Sequence, residues 1–355
     1  MQSMKKNNFN IIRFLGAFLV FAGHMGILMG GAAPLMGSFP LHEIGVAVLF
    51  TISGYLITKS WLSDPHPIRF AVRRFFRLWP PFAVLILLMV FVAGPLLSDL
   101  GTTAYFESDY TSYLRNLRFF TAYSLPGVFT TLPAANSVNG SLWTMPVEAF
   151  LYIVTPLLLS LIRAKSGKKA SFRAMSVITV IVVAVDLYLR AFCAGVQVVV
   201  YGTDVIAAYH LITFYVVGML FTYEETRKYL NLQAGAVGMC VLLFVQFSYG
   251  PLQYLLLYTI LPYFLFSLAF VEEPRFYKFG TKFDITYGIY LYGFFFQQLV
   301  VQLVIAGKIP PNYTAAFLAS AVPTLVAAFL SYVIVEKPSL KLSSWLLKKM
   351  RRQSA

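Results

Sequence analysis

Residues 11–30 read IIRFLGAFLVFAGHMGILMG, an apolar stretch of membrane-spanning length that nevertheless carries an arginine and a histidine. Arg13 and His24 are eleven positions apart. At about 100° per residue that is three full turns and roughly 20° more, so on a helix both side chains lie on one stripe. Their axial offset is roughly 16 Å, about half of a ~30 Å hydrocarbon core. Ionisable groups at such depth are costly in lipid and by default face a functional path inside the protein. On spacing alone a structural reading stands beside this one, with Arg13 snorkelling as an anchor and His24 hydrogen-bonding between helices.

Nine further apolar stretches follow, at 42–62, 80–98, 142–162, 174–194, 204–223, 234–249, 251–271, 286–306 and 313–335. The chain is 59% hydrophobic and 12% charged over 355 residues, a balance that excludes a pair of soluble domains. The fold class is therefore all-α, a polytopic membrane protein with about ten transmembrane helices. Gly250-Pro251 predicts a tight turn between the seventh and eighth spans. The run at 117–132 is broken by Pro126 and followed by Pro133, and reads as interfacial or re-entrant. Arg and His inside the first span, with many spans after it, favour an uncleaved first helix over a signal peptide. Cys193 and Cys240 lie inside apolar segments and suggest neither a disulfide nor a metal site.

With the N-terminus inside, 24 of the 28 Lys and Arg residues fall on the inner side, and only Arg115, Arg118, Arg190 and Lys308 fall outside. Both termini are thus expected in the cytoplasm. The net charge of +14 reports this orientation and not a nucleic-acid footprint. Residues 1–336 form the membrane domain, and 337–355 read as a basic cytoplasmic tail. The longest loop, roughly 99–141, faces outward. Its rings (Tyr105, Phe106, Tyr110, Tyr113, Phe119, Phe120, Tyr123) fit an interfacial belt better than a sugar-stacking surface.

Other chemistry-bearing residues cluster in four places. HPIRFAVRRFFRLWPP carries Arg69, Arg73 and Arg77 at i, i+4 and i+8, with Arg74 beside them. Four guanidiniums in nine residues suit phosphate groups, while positive-inside anchoring is the plainer account. SLWTMPVEAFLY opens the fourth span with Pro146 in its first turn and Glu148 in the outer half. Were spans one and four in contact, Glu148 would meet His24 and fix its tautomer, suiting that imidazole to general-base work near pH ~6.5. In GVAVLFTISGYLI, the small residues Gly45, Ser53 and Gly54 allow close helix approach. His42 and Glu43 at the outer end of that span read as solvated. Asp186 and Arg190, four apart, can neutralise one another, Asp204 and His210 look isolated, and Glu336 reads as a helix-end partner.

Taken in order, these segments resemble the acyltransferase-3 family of integral-membrane acyltransferases over nearly the whole chain. Arg13 to His24 resembles its Arg-x10-His motif, GVAVLFTISGYLI its small-residue second span, and FAVRRFFRLWP its Arg-rich stretch. SLWTMPVEAFLY resembles its Ser-Leu-Trp…Glu segment, ITYGIYLYGF its late Tyr-rich span, and VIVEKP its Glu-Lys-Pro ending. The chain departs from the pattern at Ala47, where members often have an acid, at Gly293, where they often have His, and at Pro146. No role for a second histidine near the ninth span therefore carries over. Some members add a periplasmic hydrolase-like domain; none is present in this sequence, which places acceptor choice in the spans and outer loops.

The resemblance implies transfer of an acyl group, acetyl being the expected one, from cytoplasmic acyl-CoA to a hydroxyl of a cell-envelope or exported carbohydrate such as lipopolysaccharide. It implies a bacterial cytoplasmic (inner) membrane location. Arg13, Arg69, Arg73, Arg74 and Arg77 would hold the CoA phosphates. His24 would be the base with Glu148 orienting it, and Ser53, Ser141 or Trp143 would contact the oxyanion or acceptor. No metal is implied. The rival is a transporter or flippase for an anionic lipid or sugar, which would show inverted repeats and broken helices that this sequence lacks.

Overall fold

The computed structural model describes residues 6–165, 168–245 and 250–353. Its helices are α1 (Phe9–Leu28), α2 (Leu41–Ser63), α3 (Pro67–Leu88), α4 (Thr144–Lys165), α5 (Lys168–Phe192) and α6 (Val205–Leu220). They continue as α7 (Leu232–Phe244), α8 (Gly250–Ala269), α9 (Thr286–Ile305), α10 (Tyr313–Ser331) and α11 (Lys337–Gln353). Among the described residues, eight helices are long and apolar enough to cross a membrane, and α6 and α7 are shorter apolar helices. The polytopic all-α expectation is met. Gly250-Pro251, expected as a tight turn, instead forms the first turn of α8, where Pro needs no amide donor; Lys5, residues 246–249 and the side chains of Arg163, Lys165, Lys168 and Lys169 lie outside the described residues.

Glycines set the helix spacing. A Cβ on Gly45 of α2 would come within 2.5 Å of the Gly16 carbonyl on α1, and one on Gly54 within 2.0 Å of the Tyr215 carbonyl on α6. Gly218 of α6 closes equally on Thr51. Without side chains between them the backbones reach van der Waals contact, which supplies the attraction that lipid tails cannot. The helix α2 is thereby the hub, with α1 on one side and α6 on the other. The chief neighbours of α1 are α2, α9, α10 and α8, whereas α4 lies against α2, α3, α5 and α6. The contact envisaged between spans one and four is therefore replaced by a shared neighbour, α2.

Two helices are prolonged by single π turns. The α3 helix starts at Pro67 behind a His66 cap and runs through the π turn Met89–Ala93 to Leu97. The α10 helix passes through the π turn Tyr332–Glu336 directly into α11. The basic segment 337–355 is thus no free tail in its described part. It continues the last span and packs on α3, with Ser339 Oγ donating to the Phe76 carbonyl at 2.7 Å.

The outer loop descends into the protein. Gln298 of α9 donates to the carbonyls of Ala134 and Ser137, Asn139 donates to that of Leu291, and Tyr290 donates to that of Ser141. Tyr290 is only four residues from the start of α9, about 6 Å along its axis. The loop therefore follows α9 most of the way toward the end of the bundle that holds the N-terminus. Its irregular backbone is tolerated at that depth because protein, not lipid, surrounds it. Leu125, Val128, Phe129 and Leu132 of the broken apolar run are all buried there. Tyr105 and Tyr113, expected in an interfacial belt, are instead fully buried core residues against α3, and Tyr105 donates to the Val90 carbonyl at 2.8 Å. Phe106 and Tyr123 keep the exposure expected of belt residues.

Candidate active site

Because the loop dips so far, α4 begins deep in the bundle, and Glu148 faces a cavity of about 450 Å³ at the N-terminal end. Helices α1, α2, α3, α4, α6, α9 and α11 contribute its walls. Four guanidiniums line it (Arg13, Arg73, Arg74 and Arg77) against two carboxylates, Glu148 and Asp284. Ser53 and the tyrosines Tyr152, Tyr215, Tyr287 and Tyr290 complete its polar surface, and Leu340, Ser343, Ser344 and Leu347 of α11 form a wall at its mouth.

The basic residues are held by two acids that the sequence reading passed over. Asp284, just before α9, accepts from Arg13 Nη1 at 3.1 Å and from Arg77 Nη2 at 3.0 Å. Burial pushes its carboxyl up, but the two guanidiniums outweigh that and hold it well below the usual carboxylate range. Asp64, in the α2–α3 turn, accepts from Arg69 at 2.6 Å, Arg73 at 2.7 Å and Arg351 of α11 at 3.2 Å. Hydrogen bonding from Arg69, reinforced by Arg73 and Arg351, keeps this carboxyl low against the effect of burial. Arg69 is consequently spent on Asp64 and does not line the cavity, contrary to its expected role. Arg74 is the least neutralised of the set. Among the described residues it hydrogen-bonds to Ser60 Oγ alone, at 3.3 Å, and its Nε is buried without a partner. Arg73 Nε is likewise unpartnered. The guanidiniums of Arg73 and Arg74 line the cavity, and a cluster of such groups suits a multivalent anion.

Glu148 does not meet His24. It accepts from Tyr152 at 2.5 Å, one turn further along α4, on the wall shared with Arg74 and Arg77. The sequence reading put it in the outer half because it took the fourth span to start at the membrane face. At the inner end of the cavity, Tyr290 and Thr144 hydroxyls lie 2.6 Å apart. Ser53 lines the cavity, but Ser141 is buried above it and Trp143 is packed outside it.

His24 lies beyond that inner end. Its ring is 5.4 Å from Phe294, edge on, and 5.5 Å from His42. Phe294 stands four residues after Tyr290 on α9, so His24 is about one helical turn, ~6 Å, past the cavity. The Phe294 ring also fills the space over Gly140, where a Cβ would come within 2.7 Å of it. Phe294 thus packs against the imidazole on the cavity side, and neither it nor His24 lines the cavity. Arg13 and His24 do turn to the same side, one toward Asp284 before α9 and the other toward Phe294 on it. His42, read as solvated, is instead packed against His24 with its Nδ1 buried and unpartnered. Neither contact was visible in sequence, because both depend on how tightly α2 docks at Gly23, where a Cβ would meet the His42 amide at 2.3 Å.

The family model described as an acyltransferase domain matches residues 6–333, nearly the whole chain. The chain belongs to the acyltransferase-3 family. It is similar to an O-acetyl transferase of Shigella phage Sf6, at 29% identity over 96% of this chain and 98% of the relative. It is also similar to nodulation protein 10 of Rhizobium leguminosarum bv. viciae, at 25% identity over 96% and 95% of the two chains. The peptidoglycan O-acetyltransferase OatA of Listeria monocytogenes is 25% identical over 83% of this chain and 51% of its own length. No solved structure matches it significantly. The protein is accordingly a membrane acyltransferase.

Proposed function

We propose that this acyltransferase-3 protein moves an acyl group, acetyl by preference, from cytoplasmic acyl-CoA to a hydroxyl of a cell-envelope or exported carbohydrate in the bacterial cytoplasmic membrane. The observation that carries this reading is a cavity with four guanidiniums, two of whose Nε donors are buried and unpartnered, open at the end that bears most of the positive charge. Arg73, Arg74 and Arg77 bind the CoA phosphates, and Arg13 closes the group through Asp284. Leu56, Ile57 and Leu340 give the apolar flank along which a pantetheine arm lies. That arm spans about half a hydrocarbon core, enough to carry its thioester from the mouth to Tyr290.

Rotation of the Phe294 ring joins the thioester to His24. The imidazole takes the proton of the acceptor hydroxyl, whose oxygen attacks the thioester carbonyl. The tetrahedral intermediate collapses to the ester, and the CoA thiolate recovers the proton from the imidazolium. Ser53, whose side chain is on the cavity wall, would donate to the oxyanion, because the Tyr290 and Thr144 protons are shared between each other and the Ser141 carbonyl. His42 lies against the base and withdraws it from bulk solvent. The phage and Listeria relatives, both named as O-acetyltransferases, support acetyl as the group moved.

Protein reconstituted in lipid nanodiscs and given labelled acetyl-CoA with cell-envelope glycan should release CoA thiol and shift the glycan mass by one acetyl group. Absence of thiol release, with acetyl-CoA still intact after incubation, overturns the donor assignment.

A further inference from the structure

A second cluster of charged side chains lies far from the cavity, where α5 ends and α6 and α8 begin. Asp186, fully buried, accepts from Arg190 Nε at 2.8 Å and Tyr258 at 2.5 Å, and its other oxygen lies 2.6 Å from His210 Nδ1. The carboxylate thereby fixes the imidazole and leaves Nε2 as its free nitrogen. Arg190 lies flat on the Tyr254 ring, 3.4 Å from its centroid. Arg190, Tyr254, His210, Asp204 and Gln197 line a pocket of about 400 Å³, a volume in the range of small-ligand sites. The sequence reading took Asp186 and Arg190 as a self-neutralising pair and His210 and Asp204 as isolated. The structure brings Arg190, His210 and Asp204 to one opening, with Asp186 buried behind the first two.

This pocket connects to the candidate base. The Tyr254 hydroxyl donates to Glu43 at 3.0 Å, Glu43 is the neighbour of His42, and His42 stacks on His24. The pocket opens at the end of the bundle opposite the guanidinium cavity, since α5 ends there and α6 and α8 begin there. Its lining holds hydrogen-bond donors and acceptors of both signs. Asp204 opposes an anion, and Arg190 opposes a cation. A ring bearing several hydroxyls satisfies both kinds of group and has an apolar face for aromatic contact.

We propose that this pocket is the subsite for a neutral sugar ring of the acceptor, a hexose or deoxyhexose, with His210 and Arg190 as its hydrogen-bonding residues. The proposal rests on the reading of the acceptor as carbohydrate, and its test does not involve acetyl-CoA, so the two fail separately. Cys193 lines the same pocket, whereas Cys240 lies elsewhere and is exposed. In nanodiscs, binding of methyl glycosides of neutral hexoses and deoxyhexoses is measured beside that of hexose 1-phosphates, and maleimide labelling of each cysteine is followed with and without sugar. The expected result is binding of one or more neutral glycosides in preference to phosphates, with labelling of Cys193 slowed and Cys240 unchanged. His210→Ala should weaken that binding about tenfold, the loss of one hydrogen bond, in protein that still melts cooperatively, at a lower midpoint because Asp186 loses a partner. No glycoside binding, binding that leaves Cys193 labelling unaltered, a preference for the phosphates, or full binding by a folded His210→Ala protein each overturns it.

Discussion

At the scale of single residues, the proposed mechanism separates holding a donor from activating an acceptor. His24 stands beyond Phe294 and the guanidiniums stand before it. Replacing His24 by Ala should lower acyl transfer by about 10²–10⁴, the usual worth of a positioned base, with acetyl-CoA affinity retained. Kinetics beside equilibrium acetyl-CoA binding make that check, and a matching loss of affinity would contradict the separation. Arg74→Ala should do the converse, raising KM for acetyl-CoA about tenfold or more through loss of a charge-assisted contact. The acids Asp64 and Asp284 carry the pH dependence. Their carboxyls are held below the range near ~3.9 that they take in an unfolded chain. Their contribution to stability is therefore complete above pH ~4 and is lost as pH falls through the lower folded values. Asp284→Asn should remove part of that acid sensitivity and cost roughly 3 kcal/mol at neutral pH, because Arg13 and Arg77 lose their shared partner. Thermal melts in detergent across acidic pH test both signs. Arg13, His24 and the Arg-rich stretch were legible as polar groups in apolar or crowded basic sequence. Asp64 and Asp284 were not, since single acids in short loops carry no spacing signal until the fold brings arginines from α1, α3 and α11 onto them.

At the scale of elements, glycine contacts and helix continuations decide the shape of the site. Gly54→Leu should separate α2 from α6, since even a Cβ would sit 2.0 Å from the Tyr215 carbonyl. A loss of about 1–3 kcal/mol is expected from overpacking, read as a lower melting midpoint than that of a conservative change at the neighbouring Ser53. The α11 helix gives a second test. Truncation after Glu336 removes Leu340, Ser343, Ser344 and Leu347 from the cavity wall and Arg351 from Asp64. Weaker acetyl-CoA binding with the spans still folded is the expected outcome, and unchanged affinity would show that α11 takes no part. The basic charge of residues 337–355 was plain in sequence, and so was the span before them. Their docking was not, because a free amphipathic tail and a packed one have the same composition; the π turn at Tyr332–Glu336 and the fit against α3 decide between them.

At the scale of the whole molecule, ten apolar helices and a one-sided distribution of positive charge define a membrane protein whose two ends differ. A reporter that is active only outside the cytoplasm should work when fused in the outer loop near Asp109 and fail when fused near Lys228. The reverse pattern would invert the topology and with it the side from which the donor enters. The two polar pockets lie toward opposite ends of the bundle, and His24 lies between them, packed against Phe294 on one side and His42 on the other.

The sequence by itself determined the polytopic helical class, the apolar character of the segments and the shared stripe of Arg13 and His24, because hydropathy and helical period are local properties of the chain. Only the tertiary structure decided that α4 starts deep, that Glu148 belongs with Tyr152 and the arginines instead of His24, and that Asp186, His210 and Arg190 converge. Those pairings depend on how far the loop at residues 99–141 sinks along α9 and how closely glycines let α1 and α6 approach α2. Depth and approach are set by packing between segments remote in the chain, where a residue's own neighbours in sequence carry no information.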